Sequence, residues 1–192
     1  MGQGAPDWDP PEFVKESLVE VAHEKEDQYT RVGGHPELIK IIAEEYSAKF
    51  DRNIDPMKEV VISNGAEGAI NNFLFAFLDE GDEVIVFEPV FPSFLTMIEI
   101  YGGKLKFSTL EPPKENFHQW TINFESLEKL FNSKTKTIII NTPHNPTGKV
   151  FSKTEYDKLI SILNKWPQVI VFADEVSFFK TKFFNVSRFT SM

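Results

Sequence analysis

The 192-residue chain carries 20 Lys+Arg against 29 Asp+Glu, a formal net charge of −9 at pH 7, with no cysteine and 41% hydrophobic residues. That is enough apolar material for one domain with a real core, and 19 Phe speak against a disordered chain. Excess acid argues against a phosphate-backbone binder, and zero cysteine excludes disulfides and thiolate metal sites.

The N-terminus, MGQGAPDWDPP, has neither the basic region nor the apolar run of a signal peptide. The most apolar stretch, Ala69 to Leu78, is interrupted by Asn71 and Asn72 and falls short of a membrane span. A soluble, cytoplasmic protein is expected, with a mitochondrial location left open and neither membrane nor nucleic acid as partner.

In chain order, Glu37 to Phe50 predicts a helix with Leu38, Ile41, Ile42 and Tyr46 on one face and Pro36 near its start. Val60-Val61-Ile62 reads as a short strand ending at Asn64-Gly65. Ala66 to Leu78 reads as a largely buried helix, closed by Glu80-Gly81-Asp82. Val84 to Phe87 is a second strand, Phe91 to Tyr101 a helix ended by Gly102-Gly103, and Lys104 to Leu110 a third strand. A Pro-containing loop, Glu111 to Trp120, leads to a helix near Phe124 to Phe131. Thr137 to Asn141 is the next strand. Ser152 with Glu155 fits a capping box that opens a helix to Lys165, and Val169 to Ala173 is a last strand running into Asp174-Glu175. Strands separated by helices imply an α/β fold, a mostly parallel sheet flanked by helices on both faces.

In such sheets ligands bind beyond the carboxyl ends of the strands, so the residues just after each apolar run carry the information. Ser63-Asn64-Gly65-Ala66-Glu67-Gly68 lets backbone N–H groups approach an anion at a helix start. The same segment also reads as a tight turn whose Gly68 allows close packing. Phe91, after Glu88-Pro89-Val90, would cover a planar ligand or fill the core. In Asn141-Thr142-Pro143-His144-Asn145-Pro146-Thr147-Gly148, two prolines and a glycine stiffen a loop that presents the Asn145 amide, which both donates and accepts. Asp174 places a carboxylate where it would hold a metal or keep a ring nitrogen protonated. A nucleotide hydrolase would use such an aspartate too, but no G-x-x-x-x-G-K-[ST] exists and Gly148-Lys149 is followed by Val150. His23, His35, His118 and His144 lack metal-ligand spacing and read as structural or exposed.

Taken together, Gly2-Gln3-Gly4-Ala5-Pro6-Asp7, Gln28-Tyr29-Thr30-Arg31, Gly34-His35-Pro36, Asp79-Glu80-Gly81-Asp82, Glu88-Pro89, Asn141-Thr142-Pro143, Asn145-Pro146, Gly148-Lys149 and Asp174-Glu175-Val176 stand in one order. That series resembles the fold type I pyridoxal-phosphate aminotransferases, above all the kynurenine aminotransferase/cysteine-S-conjugate β-lyase (glutamine transaminase) group. The likeness runs from about Gly2 to Val176. It implies amino-group transfer from an L-amino acid to a 2-oxo acid, pyridoxal 5′-phosphate as cofactor, and a homodimer. It further implies that Gly65, Ala66 and Glu67 wrap the cofactor phosphate, Phe91 stacks on its ring and Asn145 binds its phenolic oxygen and helps place the substrate carboxylate. By the same resemblance Asp174 pairs with the ring nitrogen, Tyr29 reaches a partner's cofactor phosphate, and Gly4 lies near the substrate carboxylate.

The likeness also implies 1–30 as an N-terminal segment, 31–176 as a partial cofactor-binding large domain and 177–192 as a divergent tail, without the C-terminal small domain. The family's Schiff-base lysine would fall past Met192, and neither Lys180 nor Lys182 has the Ser-x-x-Lys-like setting, so no catalytic residue is assigned. Ser177 stands where relatives carry Tyr, and the segment 59–63 is expected to lack a ladder partner. The chain as given is therefore expected to be inactive. The alternative reading is a catalytically dead fragment that binds cofactor or serves as a dimerisation partner.

Overall fold

In the computed structural model, which describes residues 8–24, 28–114 and 119–177, the chain divides into two units, residues 1–62 and 63–192. The first holds α1 (Glu12–His23) and α2 (Pro36–Phe50). α1 was not foreseen in the sequence, and it buries none of its residues. α2 opens on Pro36, whose missing N–H costs nothing in the first turn, and closes at Asp51 in the left-handed conformation (φ 49°). Its inward face differs from the predicted one. Ile39 and Ala43 are buried and Ile42 and Tyr46 half-buried, while Leu38 and Ile41 are exposed. Five apolar residues between 38 and 43 allow two adjacent stripes, and helical period alone cannot choose between them.

Val60-Val61-Ile62 is not a strand. Its one backbone bond to a distant segment runs from Ile62 N to Gly33 O, 2.9 Å, and Val61 is exposed. A β-branched run becomes a strand only where a neighbour takes its N–H and C=O groups, and none of the described strands pairs with it.

The second unit holds α3 (Gly65–Phe77), β1 (Glu83–Glu88), α4 (Pro92–Ile100), β2 (Lys104–Glu111), β3 (Thr121–Ile122), α5 (Phe124–Glu128), β4 (Thr135–Asn141), α6 (Lys153–Leu163) and β5 (Ile170–Asp174). The five strands order as β3-β2-β1-β4-β5. All pairs are parallel except the two-residue β2–β3 ladder, which the sequence did not announce. β1 and β4 lie centrally and are buried along nearly their whole length, which is why they read as unbroken apolar runs.

Side chains alternate between two cores. Val84, Val86 and Ile139 face Ile70, Leu74, Phe94 and Ile98 of α3 and α4. Ile85, Phe87, Ile138 and Ile140 face Leu127 of α5 and Tyr156, Leu159, Ile162 and Leu163 of α6. Each such buried Ile, Leu or Phe contributes roughly 1.5–3 kcal/mol relative to exposure. α3, expected to be largely buried, buries only Ile70 and Leu74, because it lies on one face of the sheet with nothing described above it. α6 begins with the predicted capping box: Ser152 Oγ accepts from Glu155 N, and Glu155 Oε2 accepts from Ser152 N at 2.8 Å. Among the described residues no helix is long and apolar enough to cross a membrane.

Candidate functional site

Because β1, β4 and β5 are parallel neighbours, the chain segments that leave their carboxyl ends emerge on one side of the sheet. A cleft there is lined by Val86, Val90, Phe91, Asn141, His144 and Asn145, among others. Phe91 caps the start of α4, where its ring meets Phe94 edge-on at a centroid distance of 5.8 Å. The Phe91 ring thus forms one wall of the cleft and the β4–α6 loop forms another.

That loop is shaped by its own backbone. Gly148 N donates to His144 O at 2.7 Å and His144 N to Lys149 O at 2.8 Å, closing a turn that leaves Asn145 exposed at its tip. The peptide bonds preceding Pro89, Pro143 and Pro146 are cis. His144 is buried beneath the turn, with Nδ1 2.8 Å from Thr147 Oγ1. Burial holds its pKa below the ordinary 6.5, a hydrogen bond to the Phe87 backbone pulls the other way, and the Lys149 ammonium adds to the lowering. Both lowering effects favour the neutral ring, and burial beneath the turn gives His144 the structural place that was one of the two readings its sequence position left open. Lys149 is buried too, donating to Glu155 Oε1 at 2.7 Å and Trp120 O at 2.8 Å. It pins the loop to α6 from below.

Asp174 ends β5 half-buried, in register with Asn141 of β4. Asn141 Nδ2 donates to Asp174 Oδ2 at 3.0 Å, and Val176 N donates to Asp174 Oδ1 at 3.1 Å. Burial pushes the Asp174 carboxyl above its ordinary 3.8, and the Val176 N–H moderates the rise. Tyr156 lies in the α6 core near Thr142, its hydroxyl pushed up to about 12, first by burial.

Gly65, Ala66 and Glu67 form the first turn of α3. Gly65 has φ +71°, a left-handed conformation that favours glycine, and a Cβ there would meet nothing within 4 Å. Gly68 is not forced by packing, since an added Cβ would find ordinary contacts at 3.5 Å and beyond. The Asn64 side chain does not cap this helix. Glu67 instead accepts from Ser93 Oγ at 2.5 Å, which joins the turn to the start of α4, two residues past Phe91.

The structure thus gathers Phe91 and Asn145 in one cleft, joins Asp174 to it through Asn141, and links Gly65–Glu67 through Ser93. Tyr29 belongs to the other unit, where it is fully exposed. Gly4, His118, Lys180 and Lys182 lie outside the described residues. Asn141, Ser93 and the Lys149–Glu155 pair were not singled out from sequence. Asn141 carried a signal as the polar residue that ends an apolar run, and Glu155 carried one through the capping box. Among the described residues no cluster could hold a metal ion.

A parallel sheet whose strand ends carry an aromatic ring, an amide and a carboxylate around one cleft is a ligand-binding α/β domain. The chain matches the aminotransferase class I and II family over residues 1–176, and it belongs to that family. It is 38% identical over 182 residues to kynurenine–oxoglutarate transaminase 3 of Homo sapiens, covering 92% of this chain and 40% of that protein. With the kynurenine–oxoglutarate transaminase of Dictyostelium discoideum it shares 37% identity over 188 residues, covering 92% and 43%. The solved aspartate aminotransferase of Thermotoga maritima superposes with a TM-score of 0.79 at 35% identity, over 90% of this chain and 44% of that one. The chain therefore spans about two fifths of the length of the relatives it matches.

Proposed function

We propose that this chain is the partial cofactor-binding domain, residues 31–176, of a pyridoxal-phosphate-dependent aminotransferase. The amino group would pass from an L-amino acid of the kynurenine or glutamine type to a 2-oxo acid. The observation that carries the reading is the grouping of Phe91, Asn145 and the Asn141–Asp174 pair at neighbouring strand ends. The donor set fits that cofactor. The uncapped first turn of α3 offers N–H groups to a phosphate, with the Glu67 carboxylate held aside by Ser93. When bound, pyridoxal phosphate supplies a protonated ring that withdraws electrons from the substrate.

In this reading the chain's own groups bind and orient. The Phe91 ring covers one face of the pyridine, and the Asn145 amide donates to its phenolic oxygen. Asp174 keeps the proton on the ring nitrogen. Lys149 has no part in the chemistry, because its ammonium is committed to Glu155 and Trp120. The reading includes a homodimer, in which the exposed Tyr29 ring would reach a partner's cofactor phosphate.

Pyridoxamine 5′-phosphate is the suitable probe, since it cannot condense with surface lysines. Titrated into the 192-residue chain, it should quench tryptophan fluorescence saturably, and Asp174→Ala should weaken binding roughly tenfold or more, the cost of losing a charged partner. A wild-type chain showing no saturable binding would sink the reading.

A further inference from the structure

We infer that Asn141 is a positioning residue that holds Asp174 and Asn145 in one fixed relation. The inference rests on the cofactor reading above, which assigns roles to the latter two and none to Asn141. Asn141 closes β4 and is 5% exposed. Its Nδ2 lies 3.0 Å from Asp174 Oδ2 and 3.4 Å from Asp174 O, and its Oδ1 accepts from the Asn145 backbone N–H at 2.6 Å. One planar amide therefore touches both residues. Its orientation is unique, because the reverse would set Oδ1 against a carboxylate and NH2 against an N–H.

The consequence for Asp174 is rigidity. Asn141 holds Oδ2 while the Val176 N–H holds Oδ1, so turning the carboxylate breaks both bonds. For Asn145 the consequence is register, since the backbone that carries its side chain hangs from Asn141 Oδ1. Thr142 N donating to Asp174 O at 3.0 Å extends the ladder by one more bond on the same side. A group pairing with a ring nitrogen and one pairing with a phenolic oxygen must sit at the separation those ring atoms dictate. Asn141 is the side chain that fixes that separation.

The test uses the 192-residue chain, isotopically labelled, in an NMR pH titration. In the wild type the Asn145 backbone amide and the Asn141 side-chain amide should shift at the midpoint of the Asp174 carboxyl carbon. His144 and Glu175 also titrate nearby, so the midpoint is read at Asp174 itself. In Asn141→Ser the side chain is too short to span the gap. Asn145 should then stop tracking Asp174, and the Asp174 midpoint should rise, because a donor to the anion is gone. Affinity for pyridoxamine 5′-phosphate should fall roughly tenfold or more. Thr137→Val is the control, removing a buried β4–β5 bond (Thr137 Oγ1 to Ile170 O, 2.7 Å) away from the site. It should lower the melting temperature and leave both the midpoint and the affinity alone.

The inference is overturned if the wild-type Asn145 amide ignores Asp174, or if Asn141→Ser lowers stability as Thr137→Val does and nothing else. Should Asn141→Ser fail to fold, the wild-type titration decides alone. Absence of ligand binding by a wild-type chain whose amides do track Asp174 would refute the cofactor reading and leave the coupling standing.

Discussion

His144 shows how a buried titratable side chain writes itself into stability. Burial keeps its folded pKa below the ordinary 6.5, whereas in the unfolded chain it titrates at that value. Between the two the unfolded chain binds more protons, so stability is fully present above about pH 6.5 and is lost as pH falls through the window. Asp174 has the opposite sign. Its raised pKa means that the folded chain keeps a proton the unfolded one releases, so stability falls as pH rises from about 3.8. In urea denaturation, the midpoint of the wild type should drop between neutral pH and about pH 5.5. His144→Gln should flatten that drop while leaving the more acid behaviour in place. An unchanged slope in the variant would mean that another group carries the dependence.

Among the elements, the β4–α6 connection concentrates the most charge in the least water. Lys149 has a side chain only 2% exposed, and its partner Glu155 is 16% exposed. Glu155 has other employment, since its Oε2 caps α6 through Ser152 N. The two ends of the pair therefore differ. Lys149→Met leaves a carboxylate that still has the helix N-terminus and some solvent, and should cost about 1–2 kcal/mol. Glu155→Gln leaves a buried ammonium facing one carbonyl and an amide, and should cost about 3–5 kcal/mol. Thermal melts of both variants check the order, and equal losses would show that capping and not charge burial governs the element. The sequence displayed half of this arrangement. Ser152 and Glu155 stand three apart ahead of an apolar pattern, which announces a capping box. Lys149 stood in the Gly148-Lys149 motif with no sign of its burial, because that burial depends on Trp120 arriving from 29 residues away. The same division holds across the fold. β1 and β4 were legible because burial on both faces imposes long apolar runs, β5 because its run is rich in β-branched and aromatic residues although it is only half-buried at the sheet edge, and the residues after these strands marked Phe91, Asn145 and Asp174. β3 is two residues held only by β2, and α1 buries nothing, so neither leaves a pattern. Val60–Ile62 had the composition of a strand and lacked the neighbour that makes one.

For the whole molecule the deciding quantity is what the outer faces of α3 and α4 present. These helices bury Ile70, Leu74, Phe94 and Ile98 against the sheet, yet they also expose Phe75, Phe77 and Ile100 on their outer sides. Phe75 is 74% and Ile100 70% exposed, and the Phe75 ring lies 5.9 Å from that of Tyr101, the residue that follows Ile100 in the chain. Apolar exposure of this kind favours contact between copies, whereas the net charge of −9 opposes it. Salt shifts the balance, because the screening length shrinks from about 10 Å at 0.1 M to about 3 Å at 1 M while apolar attraction persists. Sedimentation should therefore show association that grows with concentration and with salt. Phe75→Lys combined with Ile100→Lys should return the chain to monomer, with stability changed by no more than about 0.5 kcal/mol per site. The two added lysines weaken the net repulsion, so a fall in association despite them can only come from the lost apolar contact. If the double variant still associates, the contact lies elsewhere, and the outer edge of β5, which pairs with no described strand, is the next surface to block.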